Sequence, residues 1–329
     1  MIEAIRRASA GTAPPYGEDD ISIGLKERFS MLFERDVEVL PVITGTAANA
    51  LALSTIVPPY GAIFCLASSH IVVDECGAAE FFTHGARLLP LAGSDGKVMP
   101  AEFARALSRN DGDSIHQPKP AALSLAQSTE AGTVYTPDEL RELSAIARAR
   151  GLKVHMDGAR FANALAHLGC SPADASWKAG VDVLSFGATK GGAIAAEAVI
   201  MFDPGLARDL AYRRKKAGHL VSKMRFMSAQ LEAYIEGERW LRMAEHANTL
   251  ARKLAGAVAE IEGAEIACPV ETNMVMARLP DATVAKLRSA GARFYDWEPS
   301  REGKTLVRLV TSFATEDGDI AAFTRAARA

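Results

Sequence analysis

Short, almost wholly apolar runs recur along the N-terminal part of the chain, and each breaks into glycine, small or polar residues before a helical stretch begins. They span residues 37–43, 62–66, 121–126, 152–156, 181–186 and 196–202. A strand that is apolar on both faces has to be covered on both. The fold that does this is a mostly parallel sheet between layers of helices. The intervening helices are expected at 21–33, 49–56, 72–82, 100–108 and 136–150. The last opens with Thr136, Pro137 and, at capping-box spacing, Glu139. A loop is expected over residues 127–135.

The texture changes after Pro204. A basic helix is expected at 207–216 and a long helical stretch at 226–261, broken near Glu236-Gly237. Short strands at 264–267, 273–279, 292–295 and 306–310, a helix at 281–289 and a terminal helix after Thr315 complete a smaller α+β unit. A chain of 329 residues exceeds what one small core usually holds. The expected division is residues 1–205, an N-terminal helical segment plus a large α/β domain, and 206–329, linker helices plus the small domain.

In parallel sheets, ligands gather at the carboxyl ends of the strands. Gly45, Thr46, His70, residues 127–130, Asp157 and Lys190 all fall at or just after expected strand ends. Lys190 sits in Ser185-Phe186-Gly187-Ala188-Thr189-Lys190-Gly191-Gly192, where small neighbours would let a planar ring approach the backbone. Asp157 ends the apolar run Leu152-Lys153-Val154-His155-Met156. A carboxylate there is costly unless paired. A Schiff-base lysine together with a carboxylate that keeps a pyridine nitrogen protonated is the protein's contribution to a pyridoxal-phosphate site. Each residue alone has a plainer reading: Lys190 as a surface lysine, Asp157 as the cap of a following helix. The backbone at Gly45-Thr46-Ala47 suits a phosphate at a helix start. His70 fits either ring stacking or an ordinary loop. Arg308, inside Leu306-Val307-Arg308-Leu309-Val310, fits either an anionic partner or an outward-facing strand position.

These residues resemble the threonine aldolase family of the β-eliminating lyase group, within the fold type I (aspartate aminotransferase-like) pyridoxal-phosphate enzymes. The resemblance runs over nearly the whole chain. Its most specific pieces are residues 44–49, His70 with 74–78, 127–135, 155–163, 177–182 and 185–190. It implies pyridoxal 5′-phosphate as cofactor, with Lys190 as the covalent anchor and Asp157 as partner of the pyridine nitrogen. It further implies Arg160 near the ring hydroxyl, His70 stacked on the ring, and Gly45 and Thr46 at the phosphate. Arg308 would bind the substrate carboxylate, Tyr16 would stand at the mouth of the site, and Arg225 would reach a neighbouring subunit's phosphate. The activity implied is retro-aldol cleavage of L-threonine or L-allo-threonine to glycine and acetaldehyde, by a homodimer or homotetramer with shared sites. Related readings are another β-hydroxy-amino-acid lyase such as one for phenylserine, an aminotransferase, or a cofactor-binding paralogue without turnover.

Three departures from the family pattern stand out. The usual Ser-Asp opening, whose serine helps bind the carboxylate, has no counterpart in these residues. Gly191 follows the lysine where the family usually has asparagine. Glu130 stands where some branches carry a histidine proposed as base, so the base is Glu130, a water or His70.

The formal net charge of −3 gives no reason to expect nucleic acid or an anionic membrane. No apolar run is long enough to span a bilayer, and the opening residues lack the apolar core of a secretory signal. Cys65, Cys76, Cys170 and Cys268 form no CxxC pair, so no metal is expected. Reduced thiols in a cytoplasmic protein are the expectation.

Overall fold

The computed structural model describes residues 1–110, 112 and 114–328. Two helices lead in, α1 (Ile2–Ala8) and α2 (Asp20–Leu32), the second capped by Asp19, whose carboxylate accepts from Ser22 N–H. Strand β1 (Glu38–Val42) then runs into α3 (Gly45–Ile56). Next come β2 (Gly61–Leu66), the short helices α4 (His70–Val73) and α5 (Ala78–Phe82), and β3 (Arg87–Leu91). A small hairpin of β4 (Gly93–Ser94) and β5 (Lys97–Val98) precedes α6 (Pro100–Arg109). The large layer closes with β6 (Lys119–Ala126), α7 (Pro137–Arg148), β7 (Lys153–Gly158), α8 (Phe161–Leu168), β8 (Val183–Gly187) and β9 (Glu197–Met201).

The seven-stranded sheet has the order β1-β9-β8-β7-β6-β2-β3. Four neighbouring pairs are parallel, and β9 runs against both of its neighbours. Six strand ends therefore point to one edge of the sheet, and the polar residues of the site are carried there. The expected helix at 72–82 is two short pieces, because Cys76 and Gly77 between them take left-handed φ values of 51° and 74°. That turn faces Glu75 inward. The capping box at Thr136 and Glu139 forms as expected, and the break near residue 237 falls at Gly237 and Glu238, both with φ of 57°.

Beyond the sheet lie α9 (Ala207–Lys216), α10 (Arg225–Ile235) and α11 (Arg239–Ala259). The second sheet is antiparallel, in the order β10 (Glu265–Ile266), β11 (Met274–Pro280), β13 (Lys304–Val310) and β12 (Tyr295–Arg301). Helices α12 (Asp281–Ser289) and α13 (Asp317–Arg328) cover it.

Helix α11 belongs to two of the apolar cores. Its first half sets Trp240 and Ala244 into the large core, beside Phe161, Phe186 and Tyr234. Its second half sets Ala251, Leu254 and Val258 into the small core with Val275, Val307 and Leu309. Phe186, on β8, meets Phe29 edge-on at 5.1 Å and Trp240 at 5.5 Å between ring centroids. Such aromatic pairs add about 0.5–1.5 kcal/mol each beyond the area they bury. Polar ties fix the small sheet to the loop over 127–135. Thr272 Oγ1 donates to Gly132 O at 2.9 Å, and Val134 N–H donates to Glu271 at 2.6 Å. Arg308 on β13 is thereby held against the strand ends. Among the described residues, no helix is long and apolar enough to cross a membrane.

Candidate active site

The strand ends and β13 enclose a cavity with two lobes that share His70, Asp157, Ala159 and Lys190. One lobe, about 170 Å³, is lined further by Ser128, Glu130, Arg160 and Arg308. The other, about 390 Å³, is lined further by Thr44, Gly45, Thr46, Asn49 and Glu197.

Lys190 rides on the single turn Thr189–Gly191 that follows β8. Its side chain opens on the cavity, while protein surrounds the ammonium closely enough that burial, then the Arg160 cation, lowers its pKa. Asp157 and Glu197 pull the other way. The glycines around Lys190 do not leave room for a ring as expected. A Cβ on Gly191 would lie 2.0 Å from Tyr234 Oη, and one on Gly187 would lie 2.6 Å from Ala159 Cα. Their smallness lets β8 press against β7 and α10, which brings Lys190 to Asp157. Gly191 in place of the family's asparagine therefore has a packing cause in Tyr234.

Asp157 is buried at the end of β7 and accepts two hydrogen bonds. Ala159 N–H donates to Oδ1 at 2.9 Å, and Asn49 Nδ2 donates to Oδ2 at 2.8 Å. Behind it, His155 lies 2.9 Å from Ser124 Oγ and 3.0 Å from Ser185 Oγ, tying β6, β7 and β8 together. Burial pushes His155 down to about 4, so the imidazole is neutral at pH 7.

Asn49 Nδ2 also donates to Glu75 Oε1 at 2.8 Å, and the same oxygen lies 2.8 Å from His70 Nδ1. A continuous chain therefore runs Asp157–Asn49–Glu75–His70 beneath the cavity. The Glu75 side chain is fully buried, and its hydrogen bond raises the pKa of His70. Neither Asn49 nor Glu75 stood out in the sequence as a site side chain. The usable signal was a lone amide inside the apolar helix Ala47-Ala48-Asn49-Ala50-Leu51, where an unpaired polar group is costly.

Glu130 Oε1 accepts from His70 N–H at 2.8 Å, and its Oε2 is buried without a protein partner. The carboxyl is partly open to the cavity, but protein encloses its other sides. Burial, reinforced by Asp157, pushes it up to about 7. Arg160 and Arg308 face this lobe together, each with a buried Nε that lacks a protein partner. Burial and the Arg308 charge lower Arg160 to about 10, so Arg160 stays cationic at pH 7. Arg308 is steadied by the Trp297 ring, 4.5 Å from its guanidinium carbon. From its strand position Arg308 reaches the cavity wall.

At the other lobe, Thr44 caps α3 by accepting from Ala47 N–H at 3.2 Å. The Ala47 amide is therefore engaged, while those of Gly45 and Thr46 belong to the first turn, where helices leave N–H groups free. Tyr16 and Arg225 line neither lobe. Tyr16 N–H donates to Ser222 O at 2.8 Å, with Lys215 Nζ 4.4 Å from its ring centroid. Arg225 lies beside residues 11–15 at the start of α10.

A lysine at a carboxylate, a free helix N-terminus at one end and two cations with unpaired Nε at the other make a fitting cradle for pyridoxal 5′-phosphate and an amino-acid carboxylate. The family model described as β-eliminating lyase matches residues 1–282. The chain belongs to the β-eliminating lyase family. Its members depend on pyridoxal phosphate, and this β-eliminating lyase is accordingly a pyridoxal-phosphate enzyme. A low-specificity L-threonine aldolase of Pseudomonas aeruginosa is 47% identical over 293 residues, which is 89% of this chain and 84% of that protein. The structure of a Leishmania major threonine aldolase superposes with a TM-score of 0.93 at 28% identity, covering 99% of this chain and 94% of that one. An aspartate aminotransferase from Rhodobacter sphaeroides superposes with a TM-score of 0.70 at 17% identity, covering 99% and 86%, which shows the shared fold type.

Proposed function

We propose that this enzyme cleaves L-threonine and L-allo-threonine by a retro-aldol reaction, giving glycine and acetaldehyde. The observation that carries the reading is the single lobe in which Glu130, Arg160 and Arg308 face Lys190 and Asp157. The threonine aldolases of P. aeruginosa and L. major support it by name.

When bound, pyridoxal 5′-phosphate supplies a conjugated ring that accepts the electron pair released as the Cα–Cβ bond breaks. Lys190 is its covalent anchor. The amides of Gly45 and Thr46 hold its phosphate, Asp157 holds the pyridine N–H, Arg160 the ring hydroxyl, and His70 covers the ring face. Asn49 donates to Asp157 Oδ2 and so holds the carboxylate in place for that task. Arg308 binds the substrate carboxylate through paired hydrogen bonds and so orients the bond to be broken. Glu130 takes the β-hydroxyl proton at Oε2, the oxygen that His70 N–H leaves free. His70 then stays with Glu75.

Tyr16 and Arg225, outside the cavity of their own protomer, serve a site shared between subunits of a cytoplasmic homodimer or homotetramer. The division into residues 1–205 and 206–329 is retained in this reading, with α11 as the beam between the parts.

Incubation with L-threonine and, separately, with L-allo-threonine should release acetaldehyde from both. Lys190→Ala should abolish the release and the visible absorbance of the bound cofactor. Full turnover by Lys190→Ala, or cofactor bound with no acetaldehyde from either substrate, contradicts the proposal.

A further inference from the structure

Glu197 is a buried acid for which the mechanism above has no use. It lies at the start of β9, 6% exposed, between Val42 of β1 and Gly187 of β8 in the sheet register. Its neighbours Ala196 and Ala198 are apolar and fully buried. An unpaired carboxylate is costly in such a strand, so its presence calls for a partner. One is structural: Ala188 N–H donates to Glu197 Oε2 at 3.0 Å, in the turn that carries Lys190. The other is chemical: Glu197 lines the same lobe as Lys190, Thr44, Gly45 and Thr46.

Of the titratable groups that line the same lobe, His70, Glu75 and Asp157 are tied to one another through Asn49. Lys190 acts on Glu197 from the turn after β8, and Glu197 in turn acts on the Tyr234 phenol of α10. Strand β1 presents Val42. On α9 and just after it, Arg214 donates to Pro41 O and His219 Nδ1 accepts from Ile43 N–H, so both are bonded to the β1 backbone, although Arg214 Nε is buried without a protein partner. Thr46 on α3 adds a hydroxyl but no charge.

Lys190 has to lose its ammonium proton before its nitrogen can bond to an aldehyde carbon. The same loading brings a phosphate dianion to the lobe that Glu197 lines, which penalises a second anion there. We propose that Glu197 is a positioning residue that holds the Lys190 turn and accepts the proton Lys190 gives up when the cofactor loads. In this step an N–H bond of Lys190 breaks, its electron pair stays on nitrogen, and an O–H bond forms on Glu197; nothing is oxidised or reduced. Burial pushes Glu197 up to about 7, so at pH 8 the carboxylate is mostly ionised beforehand and ready to accept. The inference rests on the cofactor site assigned above but not on the substrate.

The test is calorimetric titration of the cofactor-depleted protein with pyridoxal phosphate at pH 8, in two buffers of different ionisation enthalpy. Comparing the two counts the protons released per site. Glu197→Gln keeps an oxygen for Ala188 N–H but cannot take up a proton, so it should release up to one proton more per site than wild type. Glu197→Asp, which retains a carboxyl, should return the count toward wild type. Equal counts for wild type and Glu197→Gln, with cofactor bound in both, overturn the proposal. If Glu197→Gln does not fold, infrared difference spectra of the wild-type protein decide. Loading should raise a protonated-carboxyl band that shifts with ¹³C-labelled glutamate, and its absence overturns the proposal. Failure of wild type to bind pyridoxal phosphate at all would overturn this and the cofactor site together, whereas equal proton counts overturn this alone.

Discussion

Replacing Glu130 by glutamine should slow the enzyme and steady the fold at the same time. A positioned general base contributes about 10²–10⁴-fold, so kcat/KM for L-threonine should fall by about 3–5 kcal/mol of barrier. In the wild type the base works only when ionised, so kcat/KM should rise with pH through a value near 7, where burial places this carboxyl. The variant should lose that limb. Stability moves oppositely. The folded chain holds the Glu130 proton up to about 7, whereas the ordinary carboxyl value is 4.5. The group is therefore neutral in both states at low pH and costs nothing there. As pH rises from 4.5 toward 7, the unfolded state gains from ionisation and the fold does not. Above that window the fold carries a cost of at most about 3 kcal/mol, less whatever solvent in the cavity screens. Glutamine cannot ionise, and its oxygen can still accept from His70 N–H. Glu130→Gln should thus resist urea better than wild type at pH 8 and equally at pH 4. Acetaldehyde release followed through NADH oxidation, alongside urea melts at both pH values, checks the two halves. A variant that keeps the limb near pH 7 refutes the base assignment, and one no more stable at pH 8 refutes the burial account.

Three further outcomes follow from the geometry. Arg308→Ala should raise KM for L-threonine by about 10–100-fold, the worth of charge-assisted hydrogen bonds to a carboxylate; an unchanged KM means the carboxylate binds elsewhere. Gly191→Ala should lower stability by about 1–3 kcal/mol through overpacking against Tyr234 Oη, and Tyr234→Phe in the same chain should recover part of it in thermal melts. Glu75→Gln should lower the pKa of His70 by replacing the carboxylate whose hydrogen bond and charge raise it with a neutral acceptor, visible as an acid shift in the imidazole NMR titration; a fixed His70 pKa would falsify the role given to Glu75.

The strands were legible because burial on both faces leaves a run of apolar residues that few other environments tolerate. The elements that escaped lack such a signature. Helix α1, with Ala4 and Ala8 as its buried residues, packs through them beside Ala229 and Ala233 of α10. The β4–β5 hairpin has two residues per strand and is set by the turn at Asp95-Gly96, with φ of 51° and 77°. The helix expected over 72–82 read as continuous because its composition is helical. What breaks it is the inward demand on Glu75, and that exists only once Asn49 and His70 have been brought there by α3 and β2.

The site divides along the same line. Lys190, Asp157 and His70 were legible because each sits where an apolar strand ends, and the topology of a parallel sheet sends such ends to one place. Asn49, Glu75 and Glu197 are polar residues whose neighbours along the chain are mostly apolar or small, and each is held by a partner on another element: Asn49 bonds Asp157, Glu75 bonds Asn49, and Glu197 accepts from Ala188 N–H in the turn after the neighbouring strand. The rule that an interior polar group must be paired flags them individually without naming the partner. The partner comes from strand order. Because β9 is the one strand of the large sheet that runs against its neighbours, its first residue, not its last, lies at the edge where β1 and β8 end. That reversal puts an acid from the start of a strand beside a lysine from the end of another. A wholly parallel sheet would have carried Glu197 to the opposite edge, away from Lys190.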